Sequence, residues 1–222
     1  MPDLIFKGLE ERPNIRLHLK AWRGIKADSP ISHLQALLGH LKGNANLHAL
    51  DIRIVFLAPQ SPTPVMHPLK SVLTSCPNIR NLMLDIEVIP SYSAERENCG
   101  LGLVVGERLP PLESLRVRNY AWRNPAPFDP EAVPEAEYWA NDFDWTRLRN
   151  LHLGSRPEAQ LWPLAARLIS LKCLQLELGF HLDEVIQFLR SLPPTAQLED
   201  ATLLFLPEAS LLPTTIRTLA IK

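Results

Sequence analysis

The stretch that decides the fold is SLKCLQLELG, residues Ser170–Gly179. Its leucines, at positions 171, 174, 176 and 178, follow the pattern L-x-x-L-x-L-x-L. The last three leucines alternate with Gln175 and Glu177, so the stretch predicts a short strand with one apolar and one polar face. Such a strand cannot stand alone, because its apolar face needs a neighbour that covers it.

The same pattern recurs six more times along the chain. The copies are Asn46–Ile54, Asn78–Ile86, Pro111–Val117, Arg147–Gly154, and two weaker ones, Gln197–Phe205 and Thr215–Ile221. The first apolar positions of the seven copies are separated by 32, 33, 36, 23, 27 and 18 residues. The average step of about 28 residues is typical of leucine-rich repeats, which combine one strand with one helix or loop. An earlier strand is predicted through Ile15, Leu17 and Leu19.

Helices are predicted between several of these strands. Ser29 is a suitable N-cap, and leucines at helical spacing follow it as far as Leu41. Three more helices are predicted at Pro68–Cys76, Glu158–Leu168 and Asp183–Leu192. Because strand–crossover–strand connections are right-handed, the strands should form one parallel sheet. We therefore predict an α/β fold: an irregular leucine-rich-repeat solenoid with one curved parallel sheet, and with helices and loops on its convex side.

Composition and cysteine content limit the class of protein. The chain has 222 residues and a net charge of −1, so we expect neither a nucleic acid nor a membrane as partner. The N-terminal residues are too charged for a signal peptide, and no apolar run approaches the length of a membrane span. Cys76, Cys99 and Cys173 are odd in number and form no C-x-x-C pair, which favours free thiols. We expect a cytoplasmic or nuclear protein.

A second pattern lies between residues 109 and 154. LPPLESL at 109–115 is followed by NYAW at 119–122, YW at 138–139 and FDWTRLRNL at 143–151. This succession resembles the leucine-rich-repeat region of fungal F-box proteins. The resemblance implies a non-catalytic, protein-binding module that serves as the substrate-recognition part of an F-box ubiquitin-ligase receptor. The chain contains no F-box segment, so the resemblance implies a ubiquitin-ligase adaptor as partner only if an F-box exists outside this chain.

We interpret residues 1–222 as a single array with a long insert at residues 120–145. Neither end shows the polar capping unit that a repeat array needs, so we expect an array that is truncated at both ends or covered there by a partner. The alternative function is that of a free-standing leucine-rich-repeat scaffold or ligand-binding protein with no link to ubiquitination.

Motifs for chemistry are weak in this sequence. Gly100–Gly106 has the spacing G-x-G-x-x-x-G, but no Lys-Ser/Thr pair follows it, and a flexible connection is the favoured interpretation. His33 and His40 are seven residues apart, which does not suit a metal site on one helix. We predict no catalytic residue, cofactor or metal. An enzyme built on the insert would require a cleft with perturbed titratable groups near Gly100–Gly106.

Aromatic residues gather around the insert. They are Trp122, Tyr138, Trp139 and Trp145. Two interpretations are open: a contact site for a partner, or closure of the core where a helix is missing. The second is favoured, above all for Trp145, which directly precedes a predicted strand.

The concave face of the predicted sheet is the candidate binding surface. Between the inward leucines, polar side chains would point outward and be free to bind a protein partner. The alternative is a solvated sheet face without a partner. The predicted partner-binding residues are Asp51, Arg53, Met83, Asp85, Arg116, Arg118, Asn150, His152, Gln175 and Glu177.

Overall fold

The architecture is a single parallel sheet with helices on one face. The computed structural model describes residues 14–22, 29–57, 63–89, 100–103, 106–120, 135–154, 164–177, 182–203 and 212–221. Within these ranges, eight strands pair in chain order, and each runs parallel to the next. The strands are β1 (Ile15–Trp22), β2 (Leu47–Leu57), β3 (Asn81–Ile89), β4 (Ser114–Arg118), β5 (Asn150–Leu153), β6 (Cys173–Leu176), β7 (Asp200–Leu203) and β8 (Thr218–Ile221). The predicted α/β class and the parallel sheet are confirmed.

The repeated leucines align in register across the sheet. One row of paired residues consists of Leu50, Leu82, Leu115, Leu151, Leu174, Ala201 and Leu219. From Leu50 to Ala201 each side chain of this row is at most 3% exposed. Full burial of one such leucine contributes roughly 1.5–3 kcal/mol, so the row is a main source of the stability of the fold.

Four helices are described: α1 (Ser29–Leu41), α2 (Thr63–Ser75), α3 (Glu135–Asn141) and α4 (Leu182–Ser191). The first and last agree with the sequence prediction. Helix α2 begins five residues before the predicted start at Pro68, which lies inside it. Pro68 is the sixth residue of α2, so the helix lacks one interior backbone hydrogen bond there, and taking this proline as the first helical residue placed the predicted start too late. Of the predicted helix at Glu158–Leu168, residues 164–167 form a 3₁₀ turn, and residues 155–163 lie outside the described part of the chain.

The helices pack on the apolar face of the sheet. Leu38 of α1, Leu69 of α2 and Phe188 of α4 belong to the same buried cluster as the strand leucines. The opposite side of the sheet carries the alternate side chains of each strand, and we call it the polar face. Among the described residues, no helix is both long and apolar enough to cross a bilayer.

The aromatic residues of the insert that the structure describes belong to the core. Tyr138, Trp139 and Trp145 are each at most 1% exposed, and the ring centroids of Trp139 and Trp145 lie 6.0 Å apart. The Trp145 Nε1 donates a hydrogen bond of 2.6 Å to the carbonyl oxygen of Trp139. Tyr138 and Trp139 lie on α3, a helix that the sequence did not predict in the insert. Trp122 lies outside the described residues.

The described cysteines are free thiols. Cys76 is buried, and its Sγ lies 3.1 Å from the carbonyl oxygen of Leu41. Burial raises the pKa of this thiol above its ordinary value. Cys173 is half-buried on β6, with its Sγ 3.6 Å from Asp200 Oδ2, and its pKa is also raised, mainly by burial. Cys99 lies outside the part of the chain that the structure describes.

Candidate functional site

The ten predicted binding residues lie on the polar face. Residues paired across a parallel sheet share a face, as do residues two apart on one strand. A central row pairs His18, Asp51, Met83, Arg116, His152, Gln175 and Thr202 in consecutive strands. A second row, two residues further along, pairs Lys20, Arg53, Asp85 and Arg118. Glu177 follows Gln175 by two residues, and Asn150 precedes His152 by two, so both extend this surface.

The sequence led us to expect that all of these side chains are accessible, but two of them are not. Asp85 is only 3% exposed and His152 only 8%. Arg53 and Asn150 are exposed, and the other six residues are half-buried. The expectation of a uniformly free face was therefore wrong for Asp85 and His152. Neighbouring side chains on the same face cover them, which period-two alternation cannot reveal.

Glu177 is the centre of one polar cluster. Its Oε2 accepts hydrogen bonds from Arg118 Nε at 3.1 Å and from Arg118 Nη2 at 2.7 Å. Its Oε1 accepts a hydrogen bond of 2.9 Å from Gln175 Nε2. His152 Nε2 also lies 2.9 Å from Oε1, but without the geometry of a hydrogen bond. The cluster adds side-chain contacts between β4, β5 and the end of β6 to the backbone hydrogen bonds that already join these strands.

Gly154 makes this cluster possible, and sequence reasoning gave it no role. A Cβ atom at position 154 would lie 2.6 Å from Arg118 Cγ and 3.1 Å from Glu177 Oε2. The Arg118 side chain therefore crosses the end of β5 where a side chain is missing. The sequence shows only that a glycine directly follows Leu153. That signal alone does not reveal that the Arg118 side chain crosses the backbone at this position.

Asp85 is the centre of a second polar cluster. Its Oδ1 accepts a hydrogen bond of 2.8 Å from Asn119 Nδ2, and its Oδ2 lies 3.5 Å from Arg53 Nε. Asn119 follows β4 with a φ of 53°, a left-handed conformation that asparagine tolerates better than most residues. This turn directs the amide of Asn119 back toward Asp85. The buried carboxylate thus has both a hydrogen-bond donor and a nearby cation.

Two histidines of the central row differ in environment. His18 Nδ1 lies 2.7 Å from Asp51 Oδ2, at an exposed position on β1. His152 is buried, and this burial lowers its pKa to about 4, an effect that the nearby Arg116 guanidinium reinforces and the Glu177 carboxylate opposes. His152 is therefore neutral at pH 7.

Arg116 lies between two shallow depressions of the polar face. One has a volume of about 230 Å³ and extends from Arg116 across Asn150 and Gln175; the other, of about 310 Å³, extends across Met83 and His18. Arg116 Nε is buried and has no hydrogen-bond partner among the described residues. The guanidinium thus occupies the middle of the surface without a carboxylate partner in the described part of the chain.

A buried carboxylate lies near the glycine segment, away from the polar face. Glu135 is 0% exposed; its Oε1 accepts hydrogen bonds from the Tyr120 hydroxyl and from Trp139 Nε1, and its Oε2 accepts one from the Gly102 backbone N–H. Burial raises the pKa of Glu135, and burial together with the Glu135 charge raises that of Tyr120 well above its usual value.

These perturbed groups are those that an enzyme on the insert would require, but they do not line the depression that the described residues form nearby. A depression of about 400 Å³ lies nearby, formed by Gly106–Leu109, Pro111, Asp142 and Asp144, and neither Glu135 nor Tyr120 lines it. Three donors occupy the Glu135 oxygens, so this carboxylate closes the core beneath the insert. Within the described ranges, no three His, Cys, Asp or Glu side chains are grouped to hold a metal ion.

Comparisons of the chain with protein-family models, with curated proteins and with solved structures found no match. The functional assignment therefore depends on the sequence pattern and on the geometry of the polar face.

Proposed function

We propose that this chain is a non-catalytic, protein-binding module of the leucine-rich-repeat type, whose polar face is the concave docking surface for a protein partner. One observation carries the proposal. Polar side chains lie in register across the central strands of one sheet face, while the helices pack against the other face. A broad polar sheet face, most of whose side chains are at least partly exposed, is suited to contact another macromolecule over many residues.

The register of the sheet supports the repeat interpretation. Along the row from Leu50 to Leu219, paired residues are separated by 32, 33, 36, 23, 27 and 18 residues. These are the steps at which the sequence pattern recurs. Each repeat thus adds one strand next to the previous one, which is how a solenoid grows.

Two versions of the binding function remain. The resemblance of residues 109–154 to fungal F-box proteins favours the substrate-recognition part of a ubiquitin-ligase receptor, acting in the cytoplasm or nucleus. The free thiols of Cys76 and Cys173 fit a reducing compartment. A free-standing scaffold or ligand-binding protein is the alternative. The inaccessible carboxylate of Glu135 supports a non-catalytic role in either version.

The docking face can be tested by adding bulk to it. Asn81 and Asn150 are exposed residues of the polar face, and each lines one of the two depressions beside Arg116. We expect the double variant Asn81→Trp/Asn150→Trp to lose the specific partners that the tagged wild-type protein retains in quantitative affinity purification. Gln187→Trp, at an exposed position of α4, is the control and should retain them. Retention of every partner by the double variant would refute docking on this face.

The ubiquitin-ligase version needs a separate experiment. The full-length gene product should co-purify with a ubiquitin-ligase adaptor if the chain is part of an F-box receptor. If no adaptor co-purifies while polar-face partners do, the ligase assignment is wrong and the scaffold alternative stands.

A further inference from the structure

Most charges of the two central rows are paired, whereas Arg16 and Asp200, in the neighbouring row of the same face, form no ion pair within the described residues. Asp51 lies next to His18, Asp85 next to Arg53, and Glu177 next to Arg118. Each carboxylate of the central rows, as the structure describes them, thus has a basic partner. Among the described side chains of these two rows, Arg116 is the cation that remains, because none of these carboxylates forms a hydrogen bond or ion pair with it.

The neighbours of Arg116 within its row do not neutralise it. Its paired residues are Met83 on β3 and His152 on β5. A thioether and a neutral imidazole offer no negative charge. Because the Arg116 Nε is already buried and lacks an acceptor, its desolvation has no compensation within the described structure. Since that nitrogen is closed to solvent, an incoming anion would bind the remaining guanidinium nitrogens of Arg116, which lines both depressions.

The shape around Arg116 suits an extended polypeptide. The two depressions on either side of it are shallow, and together they cover the face from β1 to β7. Strands are spaced about 4.8 Å apart, so this surface is wide enough for a segment of several residues. Asn81 and Asn150, which lie in the row next to Arg116, can hydrogen-bond to such a segment.

We infer that Arg116 binds the carboxylate of an aspartate or glutamate in an acidic segment of the protein partner. A guanidinium fork matches a carboxylate in a bidentate geometry. Phosphorylated segments, by contrast, are usually held by clusters of arginines, whereas Arg118 is already committed to Glu177. The inference rests on the proposed function, since it specifies the partner for the same face.

The experiment uses fluorescence anisotropy with labelled octapeptides. The first peptide alternates Glu and Ser, the second replaces every Glu by Gln, and the third alternates phosphoserine and Gly. We expect the wild-type protein to bind the Glu peptide at least tenfold more tightly than the Gln peptide, and more weakly as salt increases. Arg116→Met should lose at least tenfold in affinity, whereas Arg190→Met, the same change at an exposed position of α4, should not.

A second measurement does not depend on the variant folding. The ¹⁵N–¹H resonance of Arg116 Nε in the wild-type protein should shift when the Glu peptide is added and stay unchanged with the Gln peptide. Equal affinity of wild type and a folded Arg116→Met variant would overturn the inference, as would an unmoved Nε resonance or binding of the phosphoserine peptide alone. If Asn81→Trp/Asn150→Trp loses its cellular partners while any of these results is obtained, docking on the polar face is supported, and only the acidic segment as its ligand is refuted.

Discussion

Gly154 lies so close to the Arg118 side chain that a Cβ at position 154 would lie 2.6 Å from Arg118 Cγ. The backbone N–H of Gly154 also donates a hydrogen bond of 2.7 Å to the carbonyl oxygen of Val117, which holds the glycine directly beside β4. This missing side chain allows Arg118 to reach across β5 to Glu177. A contact between residues 59 positions apart thus depends on a residue that forms no part of the ion pair.

Gly154→Ala should destabilise the protein. The new methyl group would push Arg118 or the end of β5 out of place, and overpacking of this kind typically costs about 1–3 kcal/mol. The free energy of unfolding in urea measures the effect. Gly39→Ala in α1 is the matched control, because no atom lies within 4 Å of a Cβ there, and alanine in a helix should raise the stability by about 0.5–1 kcal/mol. Equal stability of Gly154→Ala and wild type would show that the contact is loose in solution.

The Arg118–Glu177 pair should contribute modestly. The Arg118 side chain is 36% exposed and that of Glu177 is 12% exposed, so solvent screens part of the attraction. A double-mutant cycle with Arg118→Met and Glu177→Gln should give a coupling energy of about 1 kcal/mol in favour of the pair. Zero coupling would mean that the Arg118–Glu177 contact contributes nothing to stability in solution.

His152 should make the stability of the protein depend on pH. Because its folded pKa is lowered to about 4 from an ordinary value of 6.5, the unfolded chain binds a proton more readily in that interval. Stability from this residue is therefore complete above about pH 6.5 and is lost as the pH falls toward 4. The thermal midpoint, measured from pH 7.5 to 4, should decrease less in His152→Gln than in wild type.

Comparison with the variant is essential here, since other groups titrate in the same interval. Burial raises the pKa of Glu135, so this residue favours the folded state at low pH and loses its contribution as the pH rises. Only the difference between wild type and His152→Gln isolates the histidine. Parallel pH profiles of the two proteins would show that His152 is not held neutral by the fold.

Glu135→Gln should destabilise the core beneath the insert. Three groups donate hydrogen bonds to the two carboxylate oxygens of Glu135. A glutamine would replace one of these oxygens by an NH₂ group, which is itself a hydrogen-bond donor. At least one buried donor would then lose its acceptor, at a cost of about 1–3 kcal/mol. Urea unfolding checks this, with Glu113→Gln at a half-buried position as control. A variant as stable as wild type would mean that water reaches the site.

Leu151→Asp should abolish folding, whereas Asn150→Asp next to it should be tolerated. Leu151 is 2% exposed in the middle of the apolar row, and Asn150 is exposed on the polar face. Loss of a buried leucine costs about 2–5 kcal/mol before the burial of an unpaired charge is added, and a typical protein has only about 5–15 kcal/mol in total. Circular dichroism and urea unfolding distinguish the two variants. A cooperatively folded Leu151→Asp would contradict the assignment of the apolar face.

The sequence alone determined the strands, their parallel order and the face on which each leucine lies. Period-two alternation places Leu115 and Leu151 on one face and Arg116 and His152 on the other, because a shift by one residue would expose every leucine. The pattern of local apolar residues is sufficient for this. It also identified Trp145 as a core residue, since its position before a strand fixes which way it faces.

Only the tertiary structure decided which polar residues pair and which are covered. Arg118 meets Glu177 because the rows of β4 and β6 align at Gly154, and Asp85 is buried because the turn at Asn119 returns to it. These contacts join residues 59 and 34 positions apart. Local alternation gives the face of the sheet on which a side chain lies. Its partner and its exposure depend on the length and direction of neighbouring side chains, which come together only when the strands pair. For the same reason, Arg116 became recognisable as unpaired only in the folded sheet.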